Sequence, residues 1–174
     1  SDIENQVSHI KGVALILFGD FLKQEETEES HLYVKPLVKE LIEAKNKRLI
    51  MSKLKIALVS INQPSLNSAC KLLDYLEDFE VDVYGKKDLE HNLENLKTYE
   101  KIDTVLQDAW KKYDAIICIL AMGIVVRKIA PLLESKATDP AIIVMSMDLT
   151  KVIPLLSGHI GGANELSDVI AKKI

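Results

Sequence analysis

Apolar positions in this chain gather into short unbroken runs, and between the runs they recur at helical spacing. Four runs, Val13–Phe18 (VALILF), Lys55–Ser60 (KIALVS), Ala115–Leu120 (AIICIL) and Ala141–Met145 (AIIVM), are rich in branched side chains. Near-continuous hydrophobicity over so short a span predicts strands covered on both faces. A fifth run, Phe79–Tyr84 (FEVDVY), alternates apolar and acidic residues, which predicts an edge or half-exposed strand. Leu66, Ala69, Cys70, Leu73 and Leu76 follow Pro64 at helical spacing, with the proline in the first turn. Ile102, Val105, Leu106, Ala109 and Trp110 form a second helical stripe. Strand, helix, strand, helix, strand from Leu54 to Leu120 is the pattern of a parallel sheet with helices on both faces.

The pattern then changes. Two apolar runs flank Asp148-Leu149-Thr150 with no room for a crossover helix, so a hairpin should add an antiparallel strand to the mostly parallel sheet. Pro154 in the second run places it at an edge or a strand end. A glycine-rich loop follows, and Leu166, Val169 and Ile170 mark a last helix over Ala163–Lys173. The first fifty residues differ in kind: Gln24–Ser30 reads as a solvated acidic loop and Pro36–Arg48 as an amphipathic helix. Met51-Ser52-Lys53 resembles a second beginning, so the expected division is an appendage over 1–50 (strand plus helix) and an α/β domain over 51–174.

Composition supports a packed core: 48% of residues are hydrophobic and 28% charged, a soluble globular profile that needs no disulfide or metal staple at this length. Cys70 and Cys118 read as small core residues, and no Cys/His group has zinc spacing. A formal charge of −4 with dispersed basic residues argues against a nucleic-acid partner. The longest apolar run, Ala115 to Val126, falls short of the roughly 20 residues that cross a bilayer. The N-terminus has no signal-peptide pattern, so the expected location is cytoplasmic, away from membranes.

Chemistry gathers in two places. In SGHIGGANEL, three of the chain's 7 glycines, Gly158, Gly161 and Gly162, surround His159 between a strand and a helix. Glycine there serves either a tight turn or the close approach of an anion to bare N–H groups. The spacing matches no nucleotide-binding loop. His159 is a candidate general base, or it has a structural role. Ser157 is a hydroxyl without a visible activating partner, and Asn164 and Glu165 fall where they can satisfy the first helical turn. The second place is Cys118–Leu133, where Gly123 stands at the end of a buried strand and Arg127 on a short helix behind it. Ligands of open parallel sheets bind beyond the C-terminal ends of strands. Arg127 is suited to hold a carboxylate there, or else pairs at the surface with Glu134 or Asp139.

Taken in order, Gly123-Ile124-Val125-Val126-Arg127, Pro131-Leu132-Leu133, Asp139-Pro140-Ala141, Ile153–His159 and Gly161-Gly162-Ala163-Asn164 resemble the N-terminal part of the cobalamin-biosynthesis protein G (CbiG) family, over residues 51–174. The resemblance implies anaerobic cobalamin synthesis, with opening of the δ-lactone of cobalt-precorrin-5A and release of acetaldehyde to give cobalt-precorrin-5B. It implies His159 as the catalytic residue, and Gly123, Arg127, Ser157, Gly158, Gly161, Gly162 and Asn164 as substrate-binding, together forming one acid-recognising mouth at the rim of the sheet. No cofactor of the protein's own is implied: cobalt arrives in the substrate, and the remaining partners are other enzymes of the pathway. His159 as a base, as a cobalt ligand or as a structural group stay open. Chains of that family continue past the final helix into further domains, so the alternative is a non-catalytic corrinoid-binding module whose chemistry lies elsewhere. Residues 1–50 bear a fainter likeness to the closing strand and tail of tetrapyrrole methyltransferases, notably the precorrin-4 C11 enzyme, without their glycine-rich cofactor-binding parts.

Overall fold

The computed structural model describes residues 54–135, 137–159 and 161–174. The strand at Val13–Phe18, the helix at Pro36–Arg48, the boundary near residue 50 and the histidines His9 and His31 lie outside the described residues. Over the described residues the order is β1 (Lys55–Ser60), α1 (Gln63–Leu73), β2 (Glu80–Lys86), β3 (Lys97–Tyr99), α2 (Ile102–Lys112), β4 (Ala115–Ile119), α3 (Met122–Ile129), a 3-10 turn (Ala130–Leu132), β5 (Ala141–Met145), β6 (Val152–Leu156) and α4 (Ala163–Lys173). The strands form one sheet in the order β3-β2-β1-β4-β5-β6. All neighbours are parallel except β5 and β6.

The unbroken apolar runs occupy the middle of the sheet, for the reason their sequence gives. Every residue of β4 and β5 is buried, as is all of β1 beyond Lys55. Side chains alternate across the sheet, so Ile56, Leu58, Ile117, Ile119, Ile143 and Met145 join one cluster with Leu66, Ala69 and Leu72 of α1 and Ala163, Leu166 and Ile170 of α4. Their neighbours Ala57, Val59, Ile116, Cys118, Ile142 and Val144 face the other way, against Val105, Leu106 and Ala109 of α2 and Val125 and Ile129 of α3. Among the described residues, helices thus cover both faces, two on each side.

The alternating strand β2 is only partly buried, yet it is not the edge. The three-residue strand β3 pairs outside it, Tyr84 with Lys97 through Lys86 with Tyr99. Lys-Thr-Tyr carries no apolar run, so nothing in the hydrophobic pattern marks it; its backbone pairing is what makes it a strand. Pro154 does lie in an edge strand, β6, as its middle residue opposite Ile143, beside the register shift between Ile142 and Ile143. In the hairpin turn Leu149 has φ 60, and Asp148 accepts from the hydroxyls of Ser146 and Thr150 and from the Thr150 N–H. Those hydrogen bonds, the Ser146 hydroxyl's first, hold the Asp148 carboxyl down at about 2.

Helix α1 starts where its cap permits. Asn62 accepts from the Ser65 N–H at 2.9 Å while Ser65 Oγ accepts from the Asn62 N–H at 3.0 Å, and Pro64 stands in the first turn. Replacing Asn62 with Ala removes the first of these bonds and should cost about 0.5–2 kcal/mol. Urea denaturation should show a lower midpoint at unchanged slope.

Candidate functional site

The strand order creates a crevice. From β1 the chain proceeds to β2 and β3 on one side, then crosses to β4 and β5 on the other. The gap beyond the C-terminal ends of β1 and β4 is therefore the switch point of the sheet, where open α/β folds receive ligands. Gly123 stands there, exposed in the first turn of α3. Arg127, one turn on, folds its guanidinium back so that Nη1 donates to the Gly123 carbonyl at 3.0 Å. A Cβ at position 123 would lie 3.2 Å from that nitrogen, so the glycine leaves room for the arginine head. The surface alternative for Arg127 is not realised with either expected acid among the described residues. Asp139 instead accepts the N–H groups of Glu134 and Ser135.

The glycine-rich loop emerges at the other end of the sheet. Because β6 runs antiparallel, its last residue, Leu156, pairs with Ile142 near the start of β5, while Val152 pairs with Met145 at its end. The loop after β6 therefore lies near the N-terminal ends of the parallel strands, beside Asp139, whose carbonyl accepts from Ser157 Oγ at 2.9 Å. At about 3.3 Å per residue, the length of β5 separates the two ends by roughly 13 Å. The expectation of one mouth built from Arg127 and the glycine N–H groups together does not match this placement: the hairpin that closes the sheet also reverses the chain, and so puts the two groups on opposite rims.

Within the loop, packing accounts for Gly158 and Gly161, and backbone conformation for Gly162. A Cβ on Gly158 would come within 2.7 Å of Asn164 Oδ1, and one on Gly161 within 2.5 Å of the Ser157 Cβ and 2.9 Å of the Ser157 carbonyl oxygen. Gly162 has φ 78 and ends the turn as the residue before α4, a left-handed conformation open to glycine without penalty. The Ala163 N–H donates to the Ser157 carbonyl and the Asn164 N–H to the Gly158 carbonyl, so these two donors are used inside the turn. The loop still faces solvent: His159 is exposed, and Gly158, Gly161 and Gly162 are half-buried. Ser157 directs its proton at Asp139 and is not poised as a nucleophile. Replacing Gly161 with Ala forces the new methyl group against backbone and should cost about 1–3 kcal/mol, read as a lower melting temperature.

Two surface grooves lie elsewhere. One of about 760 Å³ is bounded by α1, the β5–β6 hairpin and the end of α4, with Lys71, Tyr75, Lys151 and Ile174 in its lining. Another of about 550 Å³ runs between Gln63, Cys70 and His91. Burial pushes the Cys118 thiol up to about 12 and also raises Cys70, which is only partly buried. Neither is a ready thiolate at neutral pH.

One polar cluster escaped the sequence reading. Tyr113 Oη donates to Asp82 at 2.6 Å and lies 2.8 Å from Tyr84 Oη, and Lys97 Nζ donates to Asp82 at 2.7 Å. Burial would raise the Asp82 carboxyl, but the bonds from Lys97 and Tyr113 outweigh it and hold it low. Tyr113 is pushed well above the usual phenol range by burial and by that carboxylate. The members come from β2, β3 and the end of α2, far apart in sequence and without a motif. The cluster ties these elements together.

Comparison with known proteins shows what the chain is similar to. Residues 104–174 match the family model described as cobalamin synthesis G N-terminal. A cobalt-precorrin-5A hydrolase of Priestia megaterium is 48% identical over 67 residues, covering 38% of this chain and 18% of the relative. One from Salmonella typhimurium is 48% identical over 65 residues, covering 37% and 18%. The matched part thus spans about a fifth of the length of these curated relatives. A solved structure of a cobalamin biosynthesis protein G homologue from Sulfolobus solfataricus superposes with TM-score 0.56 at 26% identity, over 71% of this chain and 36% of that one. No helix among the described residues is long and apolar enough to cross a membrane. The matched span of the family model begins in α2 and takes in both Arg127 and the glycine-rich loop, so over residues 104–174 this chain is similar to the cobalamin synthesis G N-terminal family.

Proposed function

We propose that this α/β unit acts in the anaerobic branch of cobalamin synthesis as the N-terminal part of a cobalt-precorrin-5A hydrolase, opening the δ-lactone of cobalt-precorrin-5A and releasing acetaldehyde to give cobalt-precorrin-5B. The observation that carries the reading is the 48% identity to two proteins of that name, over 67 and 65 residues, together with a family match that runs from within α2 through α4. In this reading His159, exposed on a loop, takes a proton from the water that attacks the lactone carbonyl, which frees a carboxylate and a hydroxyl. Removal of the hydroxyl proton then breaks the adjacent carbon–carbon bond. Acetaldehyde leaves, and the electron pair passes to the oxidised, cobalt-bearing macrocycle, which is itself the substrate. The protein needs no cofactor of its own for either step.

Gly158, Gly161, Gly162, Ser157 and Asn164 shape the turn that presents the imidazole. Gly123 and Arg127 serve as a second holding point, for a carboxylate arm at the opposite rim. Incubating the chain with cobalt-precorrin-5A and assaying acetaldehyde tests the proposal; release well above the uncatalysed rate supports it. The short span of the match relative to the named hydrolases favours one other reading, a corrinoid-binding module that lacks the chemistry. Tight binding without acetaldehyde would decide for the module.

A further inference from the structure

Asp139 and Pro140 belong to the motif set, yet the chemistry above gives them no part. Asp139 is a carboxylate only 7% exposed, and a charge so placed needs firm partners. Its partners are local: Oδ1 accepts the Glu134 N–H at 3.1 Å and the Ser135 N–H at 3.2 Å, while its own N–H donates to the Ser135 carbonyl at 2.9 Å. The side chain thereby folds the segment before β5 into a closed turn. Pro140 biases its predecessor towards extended backbone, and the Ala141 N–H is fastened to the Asp114 carbonyl at 2.9 Å. The Asp139 carbonyl is thus held from both sides, and it accepts from Ser157 Oγ at 2.9 Å.

Ser157 needs that bond. Its φ is 56, a left-handed conformation that is strained for a residue with a Cβ. Its carbonyl accepts the Ala163 N–H at 3.2 Å, closing the turn around His159, and its Cβ fills the space that Gly161 leaves open. We infer that Asp139 and Ser157 form a latch that sets the backbone of the glycine-rich loop and so positions His159, an inference that rests on the reading of His159 as the proton-moving group. Both are positioning residues. The pair also gives the Asp-Pro motif a purpose: it carries the acceptor that keeps a strained serine in place.

The test compares Ser157→Ala, Ser157→Gly and Asp139→Ala in the full chain by amide hydrogen exchange and by the NMR signals of the His159 imidazole. Ser157→Ala should speed exchange at Ala163 and Asn164, whose N–H groups are bonded to the Ser157 and Gly158 carbonyls, about fivefold or more, the change expected for one ordinary hydrogen bond. The amides of β1 and β4 should keep the parent rates. Ser157→Gly relieves the backbone strain but lacks the hydroxyl, and should loosen the loop to the same degree. Asp139→Ala should match it, the double variant should add little, and all should shift the imidazole signals. Loop exchange that is unchanged or slower in Ser157→Gly overturns the latch. So does an Asp139→Ala variant that loosens only residues 134–138. Where the parent chain releases acetaldehyde, each variant should lower kcat with KM nearly constant; equal loss in KM alone would overturn the positioning role. A parent chain that releases none overturns the hydrolase reading, and the exchange rates still decide the latch.

Discussion

With glutamine or alanine at position 159, acetaldehyde release from cobalt-precorrin-5A should fall about 10²- to 10⁴-fold, the usual contribution of a positioned general acid or base. His159 is exposed on the loop between β6 and α4, and the rest of that turn is held by Ser157, Gly158, Asn164 and Ala163. Removing the imidazole should therefore leave melting temperature and far-UV circular dichroism close to those of the parent, which separates loss of chemistry from loss of fold. A Gln variant that releases acetaldehyde at the parent rate would take His159 out of the mechanism. The loop would then remain as a shaped turn, and the base would have to be sought at the switch-point rim near Gly123.

Truncating Ile117 to Ala should destabilise the α/β unit by about 2–5 kcal/mol, the range for a large apolar side chain removed from a packed core. Ile117 is fully buried at the centre of β4, between β1 and β5, and its side chain joins the cluster under α1 and α4. Strands on both sides hold the backbone in register, so the cavity has little scope to collapse. Against a typical total of 5–15 kcal/mol, the loss is large enough to read directly from a urea transition. A shift corresponding to less than about 1 kcal/mol would mean that the site relaxes around the gap, contrary to the two-sided burial of this strand. An aspartate at the same position, with no partner within the cluster, should prevent folding altogether.

Sequence by itself determined the central strands, because residues such as Ile56–Val59 and Ile142–Val144 are apolar without interruption and so must be covered on both faces. It determined the helices that cover them through period and punctuation: Pro64 marks the first turn of α1 and the glycine-rich loop precedes α4, whereas the cap made by Asn62 and Ser65 emerged only in the structure. It also determined the hairpin, since Asp148-Leu149-Thr150 leaves no length for a crossover. The short strand Lys97–Tyr99 was beyond its reach, because pairing with β2 and not hydrophobicity makes it a strand. So was the Asp82, Tyr84, Lys97 and Tyr113 cluster, whose members meet only when β2, β3 and α2 are packed together. Tertiary structure alone decided where the candidate chemistry stands. Gly123 with Arg127 and the turn bearing His159 read as neighbours in a list of motifs, but a parallel strand and an antiparallel strand deliver their following loops to opposite ends of one sheet. The direction of a strand is a property of its pairing, and no local spacing records it.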